Sequence, residues 1–230
     1  KSSIIFNELA YSFHPKSWHA IQVNPLYSLR TQKIHSNTVI AGIFEMQSSN
    51  SSDALAMNIF CFPDFEKWNG VKKLFGVDKF SSIQFGFNPL VAKNGSSDST
   101  EVDVYLNKSI FCECKLTEEG FTQKEKDNVE QYNNFKKVFH SDKLIQSETT
   151  YSNYQLIRNI LAAYQHNGRF LLICDMRRPD LAKSFYQTIR CIKDECIELR
   201  TNCEIIYWQD IARACGIELK QFLKVKYGIC

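Results

Sequence analysis

Hydrophobic and polar residues alternate with a period of two between Thr100 and Glu118, and the rest of the chain is organised around this stretch. Val102, Val104 and Leu106 alternate with Glu101, Asp103 and Tyr105, the pattern of a half-buried strand. Asn107-Lys108 reads as a tight turn. After it, Ile110, Cys112, Cys114 and Leu116 mark one face, and Phe111, Glu113 and Lys115 the other. Two such runs a few residues apart predict a β-hairpin. Upstream, Ser52 is a cap candidate for a helix carrying Leu55 and Ile59 and stopped near Pro63. A second short helix, Phe65 to Phe75, ends at Gly76. Ile83, Phe85 and Phe87 alternate as a strand, followed by Pro89 and a Gly-Ser-Ser loop over Gly95 to Ser99.

Downstream, Thr117 to Thr150 is polar, with weak helical tendency around Val129 to Phe139. Ile157, Ile160, Leu161 and Tyr164 recur at helical spacing and predict a helix over Tyr151 to Tyr164. Phe170 to Cys174 is a continuous apolar run, as in a strand buried on both faces. Arg177-Arg178-Pro179 opens a long helix with Leu181, Phe185, Ile189, Ile192 and Cys196 inward. Ile205 to Trp208 reads as a last strand and Gln209 to Cys215 as a short terminal helix. Lys1 to Gln47 is mixed, with Pro15 and Pro25 as punctuation and an apolar run from Val39 to Phe44, and is expected to be irregular with one helix.

The core order is therefore helix, strand, strand, strand, helix, strand. The strand–helix–strand crossover lays Phe170–Cys174 parallel to the second hairpin strand. The fold class expected is mixed α/β (α+β), a mixed sheet flanked by helices. It divides into an N-terminal extension over 1–50, a core over 51–175 and a helix–strand–helix extension over 176–230, all in one domain.

The hairpin carries the candidate chemistry. With a three-residue loop, Asn107 to Ser109, Asp103 falls opposite Glu113, and facing side chains lie roughly 5 Å apart. Lys115 then points the same way. A two-residue loop would turn Asp103 to the other face unless a bulge restored it. Two carboxylates so close repel without a cation. With a lysine beside them they suit Mg²⁺, held through carboxylate and backbone oxygens, the Cys114 carbonyl among them. A surface hairpin with a cross-strand ion pair fits the same spacing, and spacing alone leaves both open.

Composition narrows the class. The 230 residues, 44% hydrophobic, suffice for one well-packed domain and indicate a globular protein. No apolar run reaches membrane-span length, and the first thirty residues lack the apolar stretch of a secretion signal. The net charge of +3 permits nucleic-acid binding without arguing for it. The nine cysteines show no C-x-x-C pair and no zinc-site spacing with histidine, which points to a reducing, cytoplasmic setting. Lys1 opens the sequence where Met would, so a trimmed chain or part of a longer protein is expected.

Asp103, nine intervening residues and Glu113-Cys114-Lys115 resemble the D…(D/E)xK signature of the PD-(D/E)xK, restriction-endonuclease-like nuclease superfamily. Glu113-Cys-Lys-Leu-Thr-Glu-Glu-Gly-Phe121 resembles the ExKxTExxF run of one bacterial branch. Ser51-Ser-Asp-Ala-Leu-Ala-Met-Asn-Ile-Phe60 is similar to its SSxAxxxNxF helix, and Tyr154-Gln-Leu-Ile-Arg-Asn159 to its YQLxRN helix. The superfamily shares an αβββαβ core, the order found above from periodicity.

The resemblance implies a Mg²⁺-dependent nuclease acting on DNA, with Mn²⁺ able to substitute, in a defence or mobile-element setting. Asp103 and Glu113, with the Cys114 carbonyl, would hold the metal, and Lys115 would orient or deprotonate the water. Gln155, Arg158 and Asn159 share one helical face. On pattern alone that face is a solvated stripe; the resemblance implies that Gln155 positions the water or a metal ligand, and that Arg158 and Asn159 face nucleic acid, Arg158 at a phosphate. Arg177 and Arg178 either grip phosphates or are ordinary surface residues. Glu45 or Asp53 is either a further acidic ligand or a solvated or cap-region acid; related sequences carry Gln where Asp53 stands. Ser51, Ser52 and Asn58 either cap and pack or line the cleft. Glu118 and Glu119 either start a helix or join a second metal site. Lys220, Lys224 and Lys226 read as a solvated face, and the five histidines take no role. A homodimer, or a place in a defence operon, is compatible with the family. Two other readings stay open: a nucleic-acid- or protein-binding module with a decayed metal site, and an RNA-cleaving toxin on the same fold.

Overall fold

The computed structural model describes residues 3–34, 42–98 and 100–230. The chain begins with helices α1 (Pro15–Val23) and α2 (Pro25–Arg30), each with proline at its start, where the missing N–H costs nothing. Phe44 of the expected apolar run forms an isolated bridge with Ile34, while Val39, Ile40 and Ala41 lie outside the described residues.

Helix α3 (Ser52–Phe60) is capped by Ser51, whose hydroxyl accepts from the Ala54 amide, and not by Ser52 as expected. Eight of its residues are buried, which leaves no amphipathic signal from which to fix its boundary. The next expected helix is broken at Trp68: a 3-10 turn over Phe65–Lys67 precedes α4 (Asn69–Phe75), and Gly76 ends α4 in the left-handed region at φ 62°.

Next come β1 (Ile83–Phe87), β2 (Val91–Lys93), β3 (Ser96–Asp98), β4 (Val102–Leu106) and β5 (Ile110–Lys115). β2 and β3 pair as a small hairpin about Asn94-Gly95, where a loop was expected, and Ser99 lies outside the described residues. Then follow β6 (Gln123–Glu125), the short helices α5 (Lys126–Val129) and α6 (Phe135–Val138), and β7 (Thr150–Ser152). Tyr151 thus belongs to a strand paired with Lys124, and α7 (Tyr154–Gln165) starts three residues later than the apolar spacing suggests, after Asn153 at φ 58°.

The chain closes with β8 (Arg169–Cys174), α8 (Pro179–Ile189), α9 (Ile197–Thr201), β9 (Cys203–Tyr207), α10 (Trp208–Ala214) and α11 (Ile217–Tyr227). The long helix expected from Pro179 stops at Ile189; Ile192 forms a bridge with Phe139, and Cys196 lies in a separate turn. Trp208 belongs to α10 and not to the last strand, and its indole N–H donates to the Lys115 carbonyl of β5. Helix α11 was not expected: only Leu219 and Leu223 are buried in it, one apolar pair in a charged segment.

Among the described residues the main sheet has five strands in the order β1-β4-β5-β8-β9. β1, β4 and β5 are antiparallel, and β5, β8 and β9 parallel. This is the mixed sheet flanked by helices, with the helix–strand–strand–strand–helix–strand core, that periodicity predicts. On one face Cys112, Cys114, Leu171 and Ile173 pack with Leu55 and Ile59 of α3, Phe75 of α4, Trp208 of α10 and Leu219 of α11. On the other, Phe111, Phe170 and Leu172 pack with Ile157 and Ile160 of α7 and with Leu181 and Phe185 of α8. A satellite cluster of Phe13, Ile21 and Met46 covers the outer side of α3 at Ala54 and Met57. All nine cysteines are free thiols. Among the described residues no helix is long and apolar enough to cross a membrane.

Candidate active site

β4 and β5 pair from Leu106–Ile110 to Val104–Cys112. The connection is therefore the three residues Asn107–Ser109, with Asn107 and Lys108 both at positive φ. Carried one step further, this register sets Asp103 against Glu113. There the ladder ends. Asp103 Oδ2 accepts from the Cys114 amide at 2.7 Å, so a carboxylate takes the N–H that a longer backbone ladder would have used.

Glu113 is 2% exposed. Its Oε1 lies 2.9 Å from Lys115 Nζ, and its Oε2 accepts from Asn159 Nδ2 at 2.7 Å. Lys115 is fixed from behind, its carbonyl accepting from the Trp208 indole N–H at 2.8 Å. The two acids and the lysine expected from the hairpin thus converge where β4 and β5 part, between the start of α3 and the face of α7.

The electrostatics follow from this crowding. Burial first, then the neighbouring Glu113 and Asp53 carboxylates, push the Asp103 carboxyl well above the ordinary carboxylate range, against the pull of Lys115 and the Cys114 amide. Burial alone would lower Lys115, but Glu113 and Asp103 outweigh it, and its ammonium holds its proton more tightly than a free lysine. Burial also raises the Cys114 thiol, so the residue contributes backbone atoms and no thiolate.

Helix α7 closes one side. Gln155 Oε1 and Asn159 Oδ1 are buried acceptors without a hydrogen-bond partner among the described residues. Unpartnered buried oxygens cost free energy; that of Asn159, whose amide nitrogen holds Glu113, and that of Gln155 one turn earlier on the same face of α7 leave room for a cation or a water. Arg158 does not do what was expected of it. It is 1% exposed, and its guanidinium donates to the Thr100 and Glu101 carbonyls at 2.5 and 2.7 Å. It anchors the entry to β4 and has no face turned to a phosphate. Asn159 likewise faces Glu113, with no exposed surface for nucleic acid.

The N-terminal segment closes the other side, which the sequence did not foreshadow. Asp53 is buried, not solvated, in the first turn of α3. Arg30 at the end of α2 places NH2 2.9 Å from Asp53 Oδ2 and NH1 2.6 Å from Glu101 Oε2. Lys33 Nζ lies 3.1 Å from Glu45 and 3.7 Å from Asp53. Gly86 makes room: a Cβ there would stand 2.4 Å from Arg30 NH1, and the β1–β4 register puts Gly86 opposite Asp103.

The remaining candidates fall outside the centre. Arg177 and Arg178 line an adjoining cleft of about 680 Å³ with Leu116, Glu118 and Glu119. Each already holds a carboxylate, Arg177 on Asp175 and Arg178 on Asp180. Glu118 starts no helix; its Oε2 accepts from the Leu116 and Thr117 amides at 2.6 and 2.9 Å, and its Oε1 from the Ser52 hydroxyl. Asn58 is structural, its side chain bonding His14 N and the Ser12 carbonyl. Lys226 donates to the Tyr11 carbonyl at 2.7 Å.

Among the described residues no three His, Cys, Asp or Glu side chains form a ready-made metal cluster. The donor set nevertheless suits magnesium, which binds through one or two carboxylates and completes its shell with water and phosphate oxygens. Asp103 and Glu113 would supply those carboxylates.

Comparison with curated proteins finds no match, nor does comparison with solved structures. A family model does match, over residues 11–228, spanning the core, the α2 segment that bears Arg30 and the C-terminal helices. By that match, and with the restriction-endonuclease-like fold described above, the chain belongs to the family described as Restriction Endonuclease associating with ARP.

Proposed function

We propose that this protein is a Mg²⁺-dependent nuclease that hydrolyses DNA phosphodiester bonds at a PD-(D/E)xK site made by Asp103, Glu113 and Lys115. The observation that carries the reading is the convergence of these three side chains at the parting of β4 and β5, with Lys115 Nζ 2.9 Å from Glu113 Oε1. Asp103 and Glu113, with the Cys114 carbonyl, would hold the divalent ion, which supplies Lewis acidity and eases the ionisation of water near neutral pH. Lys115, its Nζ beside Glu113, offsets charge that builds on the phosphate and orients or deprotonates the attacking water. Gln155 Oε1, an acceptor with no other partner, takes a hydrogen bond from that water. Asn159 holds the Glu113 carboxylate in place. The family description names ARP as an associate, and we propose that the chain acts beside such a partner in a restriction or defence role.

The test is incubation of the purified protein with plasmid, linear DNA and RNA, in Mg²⁺, Mn²⁺ or EDTA. DNA cleavage that needs the metal, and that falls about 10²–10³-fold in Lys115→Ala, is expected. Cleavage unaffected by EDTA, or a Lys115→Ala variant that cuts at the wild-type rate, refutes the assignment. Cleavage of RNA alone would select the toxin reading.

A further inference from the structure

Lys226 stands apart from the other cations of the cleft that adjoins the site. Arg177 is paired with Asp175 and Arg178 with Asp180, whereas Lys226 has no carboxylate partner among the described residues. Its ammonium donates to the Tyr11 carbonyl at 2.7 Å and lies 4.3 Å from the centre of the Phe6 ring. A carbonyl and a ring face hold a cation in place without neutralising it. The ammonium also keeps N–H donors beyond the one that Tyr11 accepts. Burial, with no acid to oppose it, lowers the Lys226 pKa from the ordinary lysine value. A half-buried charge without a counter-ion costs free energy, and an incoming anion removes that cost.

The cleft opens beyond the carboxyl ends of the parallel strands β5 and β8, the crevice in which open sheets of this kind take their ligands. Leu116, the residue after Lys115, lines the same cleft as Lys226 at the end of α11. Arg177 ties the two elements together, donating to Asp175 just past β8 and to the Tyr227 carbonyl at 3.2 Å. Two of the acids that line the cleft are already occupied. Asp175 is held by Arg177 and Gln209, and Glu118 by two amides and the Ser52 hydroxyl, while Glu119 is exposed. At about 680 Å³ the cleft falls within the roughly 300–1,000 Å³ of pockets that enclose a small ligand, so it has room for a short piece of one strand's backbone. Resting on the nuclease reading above, we infer that Lys226 is a phosphate-binding residue: the DNA strand leaving Lys115 runs through this cleft, and the Lys226 ammonium takes a phosphate that flanks the one being cut. Such a contact favours a chain that continues past the cut over an isolated phosphate, because only the chain reaches both lysines.

The experiment is binding of fluorescein-labelled DNA, single- and double-stranded, to the whole chain. Anisotropy is read in EDTA and in Ca²⁺ over a range of salt, so that no cleavage is needed, and each variant is checked for folding by circular dichroism. For the form that binds the wild type, Lys226→Met should weaken binding about tenfold at low salt and reduce the salt slope by about one. Lys226→Arg should keep both, and Lys224→Met, which removes an exposed lysine of the same helix outside the cleft, should change neither. A second measurement needs no variant: in the wild type, DNA should shield Lys226 and not Lys224 from acetylation by acetic anhydride, read by mass spectrometry. An unchanged slope in a folded Lys226→Met, an equal fall in Lys224→Met, or equal acetylation of Lys226 with and without DNA overturns the inference, and metal-dependent cleavage by the wild type then leaves the nuclease reading standing. Binding that depends on Lys226 without any cleavage upholds the phosphate contact and refutes the nuclease reading. A wild type that binds no DNA overturns both.

Discussion

Arg158 separates a structural role from a binding role most sharply. Its guanidinium donates to the Thr100 and Glu101 carbonyls, which hold the strand that presents Asp103. Arg158→Met keeps the apolar stem and removes both bonds. A hydrogen bond from a charged donor contributes about 1.5–3 kcal/mol when buried. Two considerations reduce the sum. Thr100 and Glu101 are exposed residues, so water replaces part of what their carbonyls lose, and Arg158 Nε is buried without a partner, a cost that the substitution removes. The net loss expected is about 2–3 kcal/mol, which in a chain of this size lowers the melting temperature by about 5–10 °C. Thermal unfolding followed by circular dichroism, with DNA binding measured over a range of salt, is the assay. A melting temperature unchanged to within about 2 °C, with weaker DNA binding and a salt slope smaller by about one, would mean that Arg158 meets a phosphate and that the reasoning is wrong.

Gln155→Leu removes a buried oxygen with no partner, so the melting temperature should hold or rise while turnover falls; a variant as active as wild type refutes the water-positioning role. Asp103 gives a pH dependence. Its folded carboxyl is raised, so without metal the folded state holds this proton more tightly than the unfolded chain, and stability from this group is present at low pH and lost as pH rises through the raised value. His14, lowered by burial, works the other way below about pH 6.5, so the comparison must be between wild type and Asp103→Asn in EDTA. Asp103→Asn should gain stability relative to wild type as pH rises towards neutral, and a pH-independent difference would sink the claim. Gly86→Ala demands a positive φ of 64° from a residue with a Cβ and thrusts that Cβ at Arg30. We expect a loss of at least about 1–2 kcal/mol in denaturant melts, against none if Arg30 simply swings aside and the strand relaxes.

What the sequence determined by itself was the part that repeats along the chain. Side chains two apart on a strand share a face, so the alternation from Val102 to Lys115 was enough to place Asp103, Glu113 and Lys115 together once the loop length was fixed. Helical spacing in α7 and the apolar run of β8 yielded the crossover, and with it the mixed sheet. The tertiary structure decided what each polar residue does once there. Gln155, Arg158 and Asn159 lie on one face of one helix, yet one oxygen is left without a partner, one guanidinium anchors a strand, and one amide holds Glu113. Spacing fixes a face but not a partner, because partners come from segments far apart in sequence. Arg30 shows this most fully: its bonds to Asp53 and Glu101 span 23 and 71 residues, and no local pattern could carry them. Nor could periodicity show that Asp53, the kind of acid that caps a helix in water, is buried against that arginine. The ion pairs that surround the site, Arg30 with Asp53 and Glu101 above all, are a property of the folded chain alone.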